Sequence, residues 1–411
     1  MNILFLNAYY APEQISFSHL ERELLEALVE DGHHIHVVCP TPTRGVSDEV
    51  ARQYKDKKRE TDYDGHVEVR RFSAPREGKN PLIRAFRYFW CNWRTYRIGK
   101  KYKGIDAVFA VSTPPTQGYM AGRVAKKLSC PMIYSLQDVF PDSLVTTGLT
   151  REGSLLWKVG RWVEKKTYRL CTKIIVISEA CRKNLLDKGV PKEQMILIPN
   201  WVDTERILPV EREGNALLSE LGLDGSKFLA VYAGNFGAAQ GADVVVRAAE
   251  LLKDDPEIQF VVFGGGALFG DACSLAQSMG LENITMNPLL PQERVPEVYS
   301  LGDVALITCK RGVGSSGMPS KTWSIMACNT PIVAAFDTDS ELAELLKDSG
   351  AGTCVEPEDA EALAAAIREA KKASRDAQSR GTGPRAYVCE NASANVCTKK
   401  YIDAFKLCLK K

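Results

Sequence analysis

Along the first ~200 residues, short β-branched or aromatic runs alternate with longer stretches in which apolar residues return every three or four positions, a βα pattern. It predicts strands at Ile3 to Ala8, His34 to Cys39, Val67 to Phe72, Ala107 to Val111, Met132 to Leu136, Ile174 to Ile177 and Met195 to Ile198. Helix-length pieces such as Leu20 to Glu30 lie between them. Leu156, Val159, Val163, Thr167 and Leu170 share the spacing of one helix face. A second series starts over with Leu229 to Tyr232, Gln259 to Phe263, Ile284 to Met286, Val304 to Thr308, Pro331 to Ala335 and Gly352 to Val355. Such alternation specifies mostly parallel sheets covered by helices. The charged, aperiodic stretch Asn200 to Asn215, with Pro209, reads as the linker between two α/β, doubly wound Rossmann-like domains, 1–205 and 206–390. Two such sheets in series imply a cleft that both face, with ligands at the carboxyl ends of the strands. Ser379 to Thr398 reads as a loop leading to a last helix, Lys399 to Leu409.

Composition removes several classes of function. No apolar run approaches the ~20 residues of a membrane helix, and Met1 to Leu6 lacks the basic start of a secretion signal, so a cytoplasmic protein is expected. The twelve cysteines include no Cys-x-x-Cys pair, which favours reduced thiols over a disulfide framework. All five histidines fall at or before His66, so the rear half has no histidine metal site. The net charge of +2 conceals +10 over residues 1–200 and −8 over the remainder. A basic front half suits a negative surface, but no nucleic-acid recognition module accompanies it.

Candidate chemistry clusters at the strand ends of the second half. Tyr232-Ala233-Gly234-Asn235-Phe236-Gly237, Gly264-Gly265-Gly266 and Gly312-Val313-Gly314-Ser315-Ser316-Gly317 each lead from a strand toward a helix. Loops of this kind offer backbone N–H groups to phosphate. Met318-Pro319 stands where a nucleotide-hydrolysing P-loop needs Lys and Ser or Thr, and the triple glycine lacks the dinucleotide spacing. Asp62-Tyr63-Asp64 and Asp337-Thr338-Asp339 spell the D-x-D of some metal-dependent sugar transferases, but read better as turn and cap aspartates.

Five segments carry a resemblance. They are Leu136-Gln137-Asp138-Val139-Phe140-Pro141-Asp142, Val176-Ile177-Ser178-Glu179, Ile198-Pro199-Asn200-Trp201-Val202-Asp203, the Tyr232–Gly237 loop with Gln240-Gly241, and Met318 to Ala327. In order and spacing the chain resembles the family-four retaining glycosyltransferases of GT-B fold, in the branch that builds bacterial surface polysaccharides such as colanic acid and N-acetylfucosamine-containing glycans. The resemblance runs from Met1 to about Ala370. It implies a donor site along Gly234, Gly264, Gly265 and Leu290, continuing through Gly317, Met318 and Pro319. Departures are specific. Asn235 and Gln240 replace an Arg and a Lys that grip the donor diphosphate in the broader family, Ser316 and Ser324 replace two glutamates, with Ser315 beside them, and Gln137 replaces a His.

A nucleotide diphosphate carries about two negative charges, and burying them without cationic or N–H partners costs several kcal/mol. Lys321 is therefore expected to grip the donor phosphate and stabilise the leaving group, with Lys310 or Arg311 assisting. Asp138, at a strand end of the first domain, is expected either to contact the acceptor hydroxyl or donor ring or to serve as a structural carboxylate. The family resemblance assigns acceptor proton removal to the leaving diphosphate, and places Gln14, Ser16 and Phe17 in an acceptor-side loop beside Gln137.

Leu82, Phe86, Phe89, Trp90, Trp93 and Tyr96 form one helical stripe flanked by Arg84, Arg87 and Arg94. Rings with adjoining cations suit the headgroup layer of an anionic membrane. The combined expectation is a metal-independent retaining hexosyltransferase without a cofactor. It takes a nucleotide-diphosphate sugar, UDP ahead of GDP, and a polyprenyl-diphosphate-linked glycan, on the inner face of the cell membrane. A sugar-nucleotide epimerase of the same fold and a catalytically silent partner in a polysaccharide assembly complex are the alternatives.

Overall fold

The computed structural model describes residues 1–13, 17–76, 81–146, 148–314, 317–376 and 383–409. Its contacts divide the chain into two compact units, Met1–Asn200 with Ala394–Lys411, and Trp201–Ser393.

The first unit holds strands β1 (Asn2–Leu6), β2 (His34–Pro40), β3 (Arg59–Asp62), β4 (Val67–Phe72), β5 (Ala107–Val111), β6 (Met132–Leu136), β7 (Lys173–Val176) and β8 (Met195–Leu197). They form one sheet in the order β3-β4-β2-β1-β5-β6-β7-β8. All neighbours are parallel except β3 with β4. Its helices are α1 (Ser18–Glu30), α2 (Asp48–Gln53), α3 (Pro81–Gly99), α4 (Gln117–Leu128), α5 (Asp142–Thr146), α6 (Leu155–Leu170) and α7 (Glu179–Asp187). Central strands such as β1, β5 and β6 are apolar almost throughout because helices cover both faces.

The second unit has helices α8 (Ala216–Glu220), α9 (Asp243–Leu251), α10 (Phe269–Ser278), α11 (Val295–Ser300), α12 (Lys321–Ala327), α13 (Glu341–Ser349), α14 (Ala360–Asp376) and α15 (Gly383–Asn391). Strands β9 (Phe228–Asn235), β10 (Ile258–Gly265), β11 (Ile284–Pro288), β12 (Val304–Thr308), β13 (Ile332–Ala335) and β14 (Gly352–Val355) make a wholly parallel sheet in the order β11-β10-β9-β12-β13-β14. Alternate residues of β9 enter two cores: Leu229 and Val231 join Val261 and Phe263 on one face, while Ala230 and Tyr232 join Phe260 and Val262 on the other. Strand order reverses between β9 and β12, so a crevice opens outside the carboxyl end of β9.

The last helix, α16 (Ala394–Leu409), belongs to the first unit and starts earlier than its sequence pattern suggests. Tyr401 and Phe405, both fully buried, pack their rings on Phe109 with centroids 6.2 and 5.9 Å away. Lys406 pairs with Asp31 at 2.7 Å. Within the stretch expected to be loop, residues 383–391 form α15, which Arg385 fastens by donating to the carbonyls of Ile207, Ala327 and Thr204 at 2.9, 2.6 and 2.7 Å.

Helix α1 carries a buried acid. The Asn7 side-chain amide donates to Glu21, and burial pushes the Glu21 carboxyl up to about 8. A carboxyl that binds its proton more tightly when folded withdraws stability as pH rises from its unfolded value of 4.5 toward 8. Glu21→Gln is therefore expected to unfold at higher denaturant than the parent at pH 8, by ~1–2 kcal/mol, and to lose that advantage near pH 5. Urea titrations at the two pH values check it.

Candidate functional site

The carboxyl end of β9 is shaped by a lysine. Lys321, the first residue of α12, lays its ammonium over the fully buried Tyr232 ring, 4.1 Å from the centroid, and donates to the Ala233 carbonyl at 3.1 Å. Tyr232 Oη in turn donates to the Asn235 carbonyl at 3.1 Å. A Cβ on Gly234 would stand 3.0 Å from Lys321 Nζ, so the glycine leaves the space that the amine occupies. Burial pushes Lys321 down to about 7. The amine therefore sits at the sheet's switch point, where burial disfavours its charged form and an anion beside it would favour that form.

Asn235 and Gln240 hold each other. Asn235 Nδ2 donates to Gln240 Oε1 at 3.3 Å, and the same oxygen accepts the Gly237 N–H at 3.1 Å. The pair braces the loop after β9 without adding charge. Gly266 stands at φ +104°, and a Cβ there would fall 2.1 Å from Asn235 Oδ1. Gly264 makes room for the Phe269 ring and Gly265 for Leu289, while Leu290 is half-buried against the core. The triple glycine is thus a close-packing requirement as well as a loop signal.

The loop after β12 departs from the expectation of free N–H groups. Asp337, 8% exposed, accepts the Gly312 and Gly314 N–H groups at 2.9 and 2.7 Å, so those two donors are already bonded to a carboxylate. The first aspartate of Asp337-Thr338-Asp339 is therefore a loop brace, and Asp64 lies in a turn at φ +53°. Arg311 is drawn to Glu356 at 2.6 Å and to the Pro357 carbonyl. Lys310 is exposed, and its backbone N–H meets the Ala239 carbonyl at 2.9 Å, which joins this loop to the one after β9. Gly317, Met318, Pro319 and Ser324 are half-buried beside Lys321, whereas Ser315 and Ser316 lie outside the described residues.

In the first unit, Ser112 Oγ accepts the backbone N–H groups of Gln137 and Asp138 at 3.0 and 3.2 Å, fixing the chain as it leaves β6. Gln137 Nε2 donates to Ser135 Oγ at 3.1 Å, and that hydroxyl meets Tyr401 Oη of α16 at 2.9 Å. The amide oxygen of Gln137 is thereby left as the outward acceptor, while the Asp138 side chain is exposed. Neither Ser112 nor Ser135 nor Tyr401 belongs to a motif; a hydroxyl inside an otherwise apolar strand, Ser135 in Met132–Leu136, was the available signal. Phe17 is buried at the start of α1, and Gln14 and Ser16 lie outside the described residues.

Helix α3 exposes Phe86, Phe89 and Trp93, together with Ile83 and Arg84. Trp90 is half-buried and gives its indole N–H to the Ser73 carbonyl at 3.0 Å, and Arg94 is half-buried over Phe72. Arg87 corrects the expectation that it flanks the exposed stripe. It is fully buried, donating to Thr43 Oγ1 at 2.8 Å and the Pro75 carbonyl at 3.0 Å, with the Tyr9 ring 5.3 Å away. Three interior partners outweigh the hydration of its guanidinium. Among the described residues no helix is long and apolar enough to cross a membrane.

Comparison with known proteins agrees with this architecture. The Glycosyltransferase Family 4 model matches residues 21–206, and the Glycosyl transferases group 1 model matches residues 216–403. The putative colanic acid biosynthesis glycosyl transferase WcaI of Escherichia coli K12 is 28% identical over 382 residues, spanning 90% of this chain and 92% of its own. The probable glycosyltransferase WbjE of Pseudomonas aeruginosa is 24% identical over 80% of this chain and 82% of its own. Among solved structures, sucrose-phosphate synthase of Thermosynechococcus elongatus superposes with a TM-score of 0.73 at 18% identity, covering 99% of this chain and 98% of its own. Anabaena HepE in complex with UDP superposes at 0.72 and 14% identity, covering 99% and 100%. The chain therefore belongs to the glycosyltransferases that join a Family 4 domain to a group 1 domain in the GT-B fold.

Proposed function

We propose that this glycosyltransferase moves a hexose or N-acetylhexosamine from a UDP-sugar, with retention and without a metal or other cofactor, to a polyprenyl-diphosphate-linked glycan of a bacterial surface polysaccharide. The observation that carries the reading is Lys321 Nζ at the carboxyl end of β9, 3.1 Å from the Ala233 carbonyl, in the space that Gly234 leaves. The relative WcaI, named for colanic acid biosynthesis, supports the polysaccharide setting, WbjE supports glycosyl transfer, and HepE, a protein of the same fold, is known in complex with UDP. In the proposed reaction the acceptor oxygen bonds to the anomeric carbon on the face that the diphosphate leaves. The bond from that carbon to the phosphate oxygen breaks, and the acceptor proton passes to the departing diphosphate. Lys321 donates to that phosphate, with Lys310 assisting from the exposed rim, so the charge released at bond cleavage meets a cation. Gln137 and Asp138 serve the acceptor side. Helix α3 holds the protein peripherally on the cytoplasmic face of the membrane, where such an acceptor resides.

Calorimetric titration with UDP- and GDP-sugars tests the donor reading. Binding of a UDP-sugar is the expected result, and a chain that binds no sugar nucleotide is instead the silent partner of an assembly complex. An epimerase would bind its sugar nucleotide and isomerise it without any acceptor, which mass spectrometry and NMR of the recovered sugar distinguish.

A further inference from the structure

Helix α6 presents its polarity in reverse. Its inward positions are Gly160, Glu164, Thr167 and Tyr168. Glu164 is satisfied in the interior by Lys188 at 2.7 Å, by Tyr168 Oη at 3.0 Å and by Arg161, while Gly160 lets the helix close on Pro141, which a Cβ would approach to 2.8 Å. In its first two turns large apolar side chains point the other way: Leu155 is 79% exposed, Leu156 53%, and Val159 and Trp162 52% each, with Leu149 just ahead at 73%. Lys158, Lys165, Lys166 and Arg169 are exposed beside them, and the only acid in α6 is the buried Glu164. Isolated exposed leucines need no explanation, but a contiguous apolar ridge with cations and an inward acid does.

This ridge does not stand alone. Helix α4 packs between α3 and α6, with Tyr119 against Trp162 at 5.7 Å and Arg123 over Tyr96 at 5.0 Å, so the three helices form one layer. The exposed Ile83, Phe86 and Phe89 of α3, with Trp93 one turn further on, and those of α6, from Leu155 to Trp162, start in the N-terminal halves of helices that follow parallel strands. Those halves adjoin the carboxyl edge of the sheet, where Gln137 and Asp138 also lie. From residue 81 to 103 there is no acid at all, and α4 has none.

We infer that α6 and α3 form a two-helix docking face for an anionic lipid bilayer, with Leu155, Leu156, Val159 and Trp162 as a second anchor beside Phe86, Phe89 and Trp93. Charge selects lipid over a protein partner. Lysines around an apolar ridge extend their stems over it and reach phosphate headgroups, whereas stable protein interfaces are depleted of lysine. Two anchors also fix the tilt of the unit, which sets the carboxyl edge of its sheet at the level of a lipid-linked acceptor. The inference rests on the membrane-held acceptor proposed above and adds the second helix and the edge that meets the lipid.

The test is co-sedimentation of the whole chain with vesicles of phosphatidylglycerol mixed into phosphatidylcholine, at low salt, for the parent, for Leu155→Ser with Trp162→Ser, and for Phe86→Ser with Phe89→Ser. Thermal unfolding shows that each variant is folded; the α3 pair is exposed and expected to melt like the parent, and the α6 pair to melt only slightly lower, since Trp162 gives up its contact with Tyr119. Each pair is expected to lower vesicle partitioning by at least about tenfold, both together to background, and pure phosphatidylcholine to bind about tenfold more weakly than the mixture. An α6 pair that partitions like the parent overturns the inference, even if the α3 pair is impaired. A parent that ignores vesicles but dimerises through residues the α6 pair disrupts overturns it in favour of a protein interface. Donor titration of the parent keeps the two readings apart: a parent that binds a sugar nucleotide but no vesicles sinks only the docking face, and one that binds vesicles but no sugar nucleotide sinks only the donor assignment.

Discussion

Lys321→Met is expected to weaken binding of a UDP-sugar by roughly 50-fold, ~2–3 kcal/mol, the usual worth of a charge-assisted hydrogen bond inside a site. The parent should carry a pH signature that the variant lacks. With its amine near 7 in the free protein, Lys321 must take up a proton to meet the diphosphate, so affinity should fall about tenfold per pH unit above neutrality until the complex itself deprotonates. A sugar nucleotide has no titrating phosphate in that range, and calorimetry between pH 6.5 and 9 in two buffers of different ionisation enthalpy would count the proton directly. Stability should move in the opposite sense. A lysine held below its unfolded value of 10.5 costs stability at neutral pH, a cost that fades as pH rises from about 7 to 10.5. The unliganded methionine variant should therefore melt higher than the parent at pH 7 and lose that margin toward pH 10. Unchanged affinity with a flat pH profile in the parent would remove Lys321 from the donor site.

Arg385→Ala is expected to cost ~3–5 kcal/mol in the second unit, among the largest effects of any single substitution. One guanidinium satisfies the carbonyls of Thr204, Ile207 and Ala327, and the residue's own N–H meets Asn329 Oδ1 at 3.3 Å. Removing it strands three acceptors at once and releases α15 from both α12 and the segment entering the unit. Arg385→Lys retains charge but cannot fork to three carbonyls, and should recover less than half of the loss. Chemical denaturation followed by tryptophan fluorescence, with Trp201 and Trp323 both buried in this unit, reads the change.

The parallel strands were legible because burial on both faces leaves little but Val, Ile, Ala and Phe between turn residues, and all thirteen predicted strands are present within a few residues. The fourteenth, Arg59–Asp62, escaped notice because an antiparallel edge strand can be polar at every position, with Glu60 held by Arg71. Helix α6 was recognised as a helix, but its apolar spacing does not coincide with its buried face. Periodicity grouped Leu156, Val159, Val163, Thr167 and Leu170 on one face; Thr167 is buried and Leu170 packs on Gly122, whereas Leu156 and Val159 are exposed and ion pairing lets Glu164 turn inward. The same blindness to partners hid Arg87, whose interior acceptors come from Thr43 and Pro75. In the candidate site the glycine loops and Lys321 could be read directly. Asp337 bonding Gly312 and Gly314, and Tyr401 reaching Ser135 across 266 positions, are products of tertiary folding with no local signature.

Because α16 completes the first unit, the second is an insertion. Its two ends are clasped together, Val202 N–H to the Ala392 carbonyl at 3.1 Å beside a bridge from Val202 to Ser393. On the ribosome, residues 201–393 emerge whole and are able to fold while β1 to β8 still lack Tyr401 and Phe405. A nonsense codon or protease cut near residue 393 would therefore damage the half of the molecule made first, leaving the later-made half as the intact survivor.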